Sequence, residues 1–175
     1  MKHLLKTNYA IVVSMLAIAS APVYAHVSAE PKQVVAGEYA RIAIKIPHGC
    51  DDAPTNSVIV HLPEAFQNAK PMPKAGWDLK IREANLSEPY ENNGKIITIF
   101  TSQIEWSGGS LPTDFYDEFV FYTKVSGSPK KLYIPVEQKC GNKNIMWQAT
   151  SHDDAYPAAT LDVLPSAAEH GAHHH

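Results

Sequence analysis

The sequence has no Gly-rich phosphate loop, no G-x-S-x-G turn, no H-E-x-x-H and no C-x-x-C. Serine-hydrolase, nucleotide-binding, zinc-peptidase and dithiol-redox chemistries therefore have no starting point in it. It has no excess of positive charge: 15 Lys and Arg stand against 18 Asp and Glu, a formal charge of −3. Nucleic acid calls for a basic face, so no nucleic-acid partner is expected. Only two cysteines occur, Cys50 and Cys140. There is no internal repeat, no sustained helical period and no sign of a second domain. One apolar run opens the chain, "AIVVSMLAIA" from Ala10 to Ala19. It is about half the twenty or so residues that a spanning helix needs.

That run has the company of a secretory leader. Lys2 and Lys6 precede it, and "VYA" places small residues at a cleavage point between Ala25 and His26. Residues 1–25 are read as a signal peptide, and the protein as exported through the Sec route to the periplasm. Retention as an anchor, or cleavage a residue or two away, would remove the chemistry described below. Removing Lys2 and Lys6 leaves 13 basic residues against 18 acidic ones, a formal charge of −5. In an oxidising compartment Cys50 and Cys140 allow a single pairing. A loop of about ninety residues closed this way contributes roughly 4–5 kcal/mol in the chain-entropy model. The other use of two cysteines, as thiolate copper ligands, remains open at this point.

The exported part reads as strands separated by turns. "YARIAIKIP" (Tyr39 to Pro47), "NSVIVHLP" (Asn56 to Pro63) and "WDLKIREA" (Trp77 to Ala84) alternate apolar and polar residues with period two. "GKIITIFTSQIEW" (Gly94 to Trp106) follows Asn93-Gly94, a hairpin signal. "DEFVFYTKV" (Asp117 to Val125), "KLYIPVEQKC" (Lys131 to Cys140), "IMWQAT" (Ile145 to Thr150) and "ATLDVL" (Ala159 to Leu164) complete eight strands. Such a series predicts an all-β, two-sheet sandwich in one domain over residues 26–165. Pro135, inside one run, marks an edge or a bulge. Residues 166–175, "SAAEHGAHHH", lack an apolar pattern and are expected to be a disordered, His-rich tail.

The chemistry starts at His26. A chain that begins with histidine offers its α-amine and imidazole Nδ1 to one ion, closing a chelate ring. An α-amine has an ordinary pKa of about 7.7–8.0, so a metal displaces only a weakly held proton. Nitrogen-rich tetragonal sites suit Cu(II). A second histidine would complete a three-nitrogen brace; His48, His61 and His152 are candidates, and none is favoured. His61 falls out of phase with Val58, Val60 and Leu62, so it faces solvent or the far sheet. Glu118 lies opposite in phase to Phe119 and Phe121, as either a solvent-facing residue or a site residue. Trp77 reads as core or edge packing and Trp106 as a cap on the sandwich. Trp147 either packs on a disulfide or walls a copper ion from water.

"AHVSAEP", "IPHGCDDAPTNSVIVHLPEAF", "PMPKAGWDLKI", "IEWSGGSLPTDFYDEFVF" and "LYIPVEQKCGNKNIMWQ", in that order, resemble the YcnI-like family, the domain of unknown function 1775. The resemblance covers nearly all of the exported domain. It implies an immunoglobulin- or fibronectin-like sandwich that binds Cu(II) through a monohistidine brace, which here maps onto His26. It maps a tryptophan near the metal onto Trp147. Glu118 matches the glutamate of the family's "DEF" segment and is assigned here as a further ligand. The expected function is periplasmic copper chaperoning or storage, non-enzymatic, with other periplasmic copper-handling proteins as partners and no membrane anchor after cleavage. The alternative is a copper oxidase resembling lytic polysaccharide monooxygenases.

Overall fold

The structure is a computed structural model and describes residues 26–166. The leader, and the tail beyond Ser166, lie outside the described residues. Period-two alternation becomes strands where expected: β3 Tyr39–Ile46, β4 Thr55–His61, β6 Asp78–Asn92, β7 Lys95–Leu111 and β8 Asp117–Val125. β9 Lys130–Ile134, β10 Val136–Cys140, β11 Lys143–Trp147 and β12 Ala159–Leu164 follow. Three short strands come in addition, β1 Ser28–Glu30, β2 Gln33–Val35 and β5 Phe66–Pro71. The described residues thus form twelve strands rather than eight and no helix.

They make three sheets, ordered β1-β3-β8-β5, β11-β10-β4-β7-β6 and β2-β12-β9. The first two face each other. Ile42, Ile44 and Ile46 of β3 and Phe119 and Phe121 of β8 meet Val58 and Val60 of β4 and Ile104 and Trp106 of β7 in one buried cluster. Each of these nine side chains is fully buried, and burying one such side chain stabilises by roughly 1.5–3 kcal/mol. Alternation supplies them: every second residue of each strand points inward. The protein is an immunoglobulin-like β-sandwich, with the small third sheet adding Leu132, Ile134, Leu161 and Val163 to the same core.

Two expectations are corrected. Pro135 is neither an edge nor a bulge within one strand; it is the point where the chain changes sheets. β9 pairs with β12, whereas β10 pairs with β4 and β11 inside the five-stranded sheet. Proline has no N–H for a ladder, and its carbonyl instead accepts from His61 N at 2.9 Å. Trp106 does not cap the sandwich. β7 runs on to Leu111, so the indole lies at the centre, edge-on to Phe119 at 5.6 Å, and its Nε1 donates to Met72 O at 3.1 Å. Trp77 packs edge-on against the same Phe119 at 4.9 Å and lies on Gly109, where a Cβ would overlap the ring. The Asn93-Gly94 turn takes the two positive φ values, 51° and 74°, that a type I′ hairpin requires.

Candidate metal centre

His26 stands at the head of β1. The register Ser28↔Lys45 holds that strand on β3, and buried Val27 and Ala29 fix its inward face. His26 is half-buried where the three sheets meet. Trp147, the last residue of β11, is paired with Val136 and is 2 % exposed. The chain then leaves the sheet, makes a loop, and returns to β12. Two hydrogen bonds pin the loop's base: Gln148 N donates to Tyr156 O at 2.9 Å, and Ala158 N to Ala149 O at 2.9 Å. Tyr156 turns the chain at φ 62°.

Two rings stand against His26, one from this loop and one from the end of β11. Its imidazole is 5.1 Å from that of His152, nearly perpendicular at 67°, and 6.3 Å from the Trp147 indole. Tyr156 stands edge-on to Trp147 at 5.2 Å. His26 and His152 together form a wall shared by two clefts. One, of about 440 Å³, has Trp147, Tyr156, Asp153 and Asp154 as its other sides. The other, of about 290 Å³, is lined by Lys32, Lys131, Tyr133 and Thr160. Lys131, on the edge of the second cleft, is paired with Asp162 at 2.8 Å, a hydrogen bond that raises the ammonium's pKa above its ordinary 10.5.

Trp147 is held from behind by a buried polar chain. Its Nε1 donates to Gln138 Oε1 at 3.0 Å; Gln138 Nε2 donates to Thr55 Oγ1 at 2.7 Å and to His48 O at 2.8 Å. Gln138 is fully buried, and these bonds satisfy both ends of its amide. Thr55 Oγ1 lies 3.6 Å from Cys140 Sγ. Cys140 and Cys50 form a disulfide, with S–S 2.05 Å and Cα–Cα 5.9 Å, which removes the thiolate-ligand use of these residues. Sequence reasoning missed Gln138. The signal was there: in Val136–Cys140 it shares the inward phase with Val136 and Cys140.

The other candidates lie elsewhere. Glu118 is on β8, opposite Lys45, two strands away from β1. Its carboxylate pairs with Arg41 at 3.3 Å and adds a lesser part to the rise in the Lys45 pKa that the Glu30 hydrogen bond chiefly causes. The structure brings it together with these cations and not with His26. His48 turns its Nδ1 to Gly49 O. His61 is half-buried against Gln103 at 3.3 Å, and burial pushes its pKa below the ordinary 6.5.

Among the described residues, no group of three or more His, Cys, Asp or Glu side chains is arranged to hold a metal ion. The side chains that stand together are two imidazoles, and any third nitrogen for a metal here would have to come from the backbone. An α-amine at His26 would supply it. That donor set, all nitrogen and open to two clefts, fits Cu(II).

A family model described as a domain of unknown function (DUF1775) matches residues 26–163. No curated protein matches. Among solved structures, the chain is similar to an uncharacterized protein from Nocardia farcinica whose crystal structure is described as revealing an immunoglobulin-like fold. The TM-score is 0.60 at 21 % identity, over 79 % of this chain and 97 % of that one. At that identity the likeness speaks for the fold alone.

Proposed function

The chain belongs to the domain of unknown function 1775 family, and on that premise we propose that it is an exported Cu(II)-binding protein of the periplasm. Cleavage after Ala25 makes His26 the first residue. Its α-amine and Nδ1 then hold one Cu(II), with Trp147 as the wall that limits access of water. One observation carries the reading: the family match begins at His26, the half-buried residue whose ring faces a buried indole between two clefts.

The residues divide the work. Buried Val27, and buried Ala29 inside β1, present the His26 donors at a fixed point. The Gln138 amide fixes the plane of the Trp147 ring. The clefts leave room for an incoming ligand to attack the ion, and transfer to a partner requires such an open position. The copper is cargo in this reading, and the protein is a chaperone or store rather than an enzyme. Glu118 is left out of the ligand set because its carboxylate serves Arg41.

One observation favours a copper oxidase as a second reading: His152 stands within 5.1 Å of His26, as a two-histidine brace requires. Against it, the rings sit between clefts rather than on a flat platform of the kind a polysaccharide surface needs. Copper-dependent product from polysaccharide, O2 or peroxide and a reductant would favour the oxidase.

The test is a chelator-competition titration of the full mature chain with His170, His173, His174 and His175 replaced by alanine. An extra alanine placed before His26 converts the amine to an amide. Affinity for Cu(II) is expected to fall by orders of magnitude, since an amide nitrogen must lose a firmly held proton to bind. Unchanged affinity contradicts the reading.

A further inference from the structure

His152 joins the loop after Trp147 to the head of β1. It is exposed, at the tip of a loop whose base is pinned, and it brings its ring edge-on to another imidazole. Among the described residues no hydrogen bond or ion pair engages a ring nitrogen of His26 or His152, although the two ring centres stand 5.1 Å apart. A cation shared by the two rings would hold them in this arrangement.

The spacing suits one. With nitrogen–metal bonds of about 2.0 Å, two imidazoles on one ion place their ring centres roughly 4.5 Å apart at a right angle and about 6.3 Å apart when opposed. The observed 5.1 Å lies inside that window.

We infer that His152 supplies a second imidazole to the Cu(II) held by His26, so that the loop between Trp147 and β12 is an arm that completes a three-nitrogen site. This inference rests on the reading of His26 given above and extends it. The brace of this chain has two histidines, one fixed at the head of a strand and one on a loop. The fixed donors define the position of the ion, and the loop donor is the one a receiving partner displaces. Asp153 and Asp154 follow His152 on the rim of the larger cleft and keep its field favourable to a cation.

The experiment uses the full mature chain without the tail histidines, loaded with one equivalent of Cu(II). Electron spin-echo modulation counts coordinated imidazoles through their remote nitrogens, and chelator competition gives affinity. The parent is expected to show two imidazoles. His152→Ala is expected to show one, with affinity lower by at least the ten- to hundredfold that loss of a mere supporting group costs. Free imidazole should restore the second signal. Because His152 is exposed, the metal-free melting temperature should not change. A parent with one imidazole, or a His152→Ala variant with unchanged spectrum and affinity, overturns the inference. The alanine-extended chain separates the two claims. If it alone loses copper, the amine–imidazole chelate stands and the His152 arm fails; if it keeps copper, the chelate itself fails.

Discussion

Two buried indoles mark two regions built for different ends. Trp106 is 0 % exposed and Trp147 is 2 % exposed, and each has a hydrogen-bonded N–H. Trp106 lies between facing sheets, its ring against Phe119 and its N–H on a backbone carbonyl. Its own strand β7, and β4 and β8 beside and opposite it, are each paired on both sides. Trp147 lies where strands end. Its N–H goes to a side-chain amide, and its ring meets Tyr156 and His26. Burial is therefore a poor guide to role. What the polar atom binds, and whether the ring's neighbours titrate, distinguishes the core from the site.

The largest effect should come from cutting the staple behind Trp147. Replacing Cys50 and Cys140 with serine frees a loop of ninety residues. A loss of roughly 4–5 kcal/mol is expected from urea unfolding. If the Trp147 region were energetically separate from the fold, the loss would be far smaller. Trp106→Ala should follow, at about 3–5 kcal/mol for an indole removed from a close-packed core. Its copper affinity per folded molecule should be unchanged. A specific loss of copper binding in that variant would erase the contrast between the regions.

Trp147→Phe should invert the pattern. It leaves Gln138 Oε1 without its donor, at a cost of about 1–3 kcal/mol for an unsatisfied buried acceptor. Copper should then quench the remaining tryptophan fluorescence much less than in the parent. Equal quenching would place Trp147 away from the metal. Glu118→Gln should cost no more than about 1 kcal/mol, since the Arg41 pair is solvent-exposed, and should leave copper affinity intact. A marked drop in affinity would restore Glu118 to the ligand set.

The smallest effect concerns His61, on β4, whose other end carries Thr55 of the Trp147 network. Burial lowers its folded pKa below 6.5, against an opposing field from Glu137. Folding therefore favours the neutral ring. The stability this gives is complete above the unfolded value and is lost as pH falls through the lowered folded one. The urea midpoint should decline modestly between about pH 7.5 and 5, and His61→Gln should flatten that part of the decline.

Much of the sandwich was legible because alternation and turn chemistry are local. β3, β4 and β8, the Asn93-Gly94 turn and the single cysteine pairing all lay where the residues put them. β1 and β2 have three residues each, too few for a period to register, and β2 exists through its parallel pairing with β12. β5 carries Asn68 at φ 51° inside it, which interrupts its alternation. The sheet change at Pro135 depends on which strands compete for each half, a non-local matter. His26 and Trp147 could be named from chemistry and resemblance. The nearness of His152 could not, since it lies more than a hundred residues from His26 and reaches it through the closure of one loop.

The most direct test is the intact mass of the protein recovered from the periplasm, taken denatured and then native after one equivalent of Cu(II). The account predicts residues 26–175 with a free amine, two hydrogens fewer for the disulfide, and one copper retained. A chain starting at any other residue, an acylated His26, or copper retained equally after the amine is blocked would contradict it.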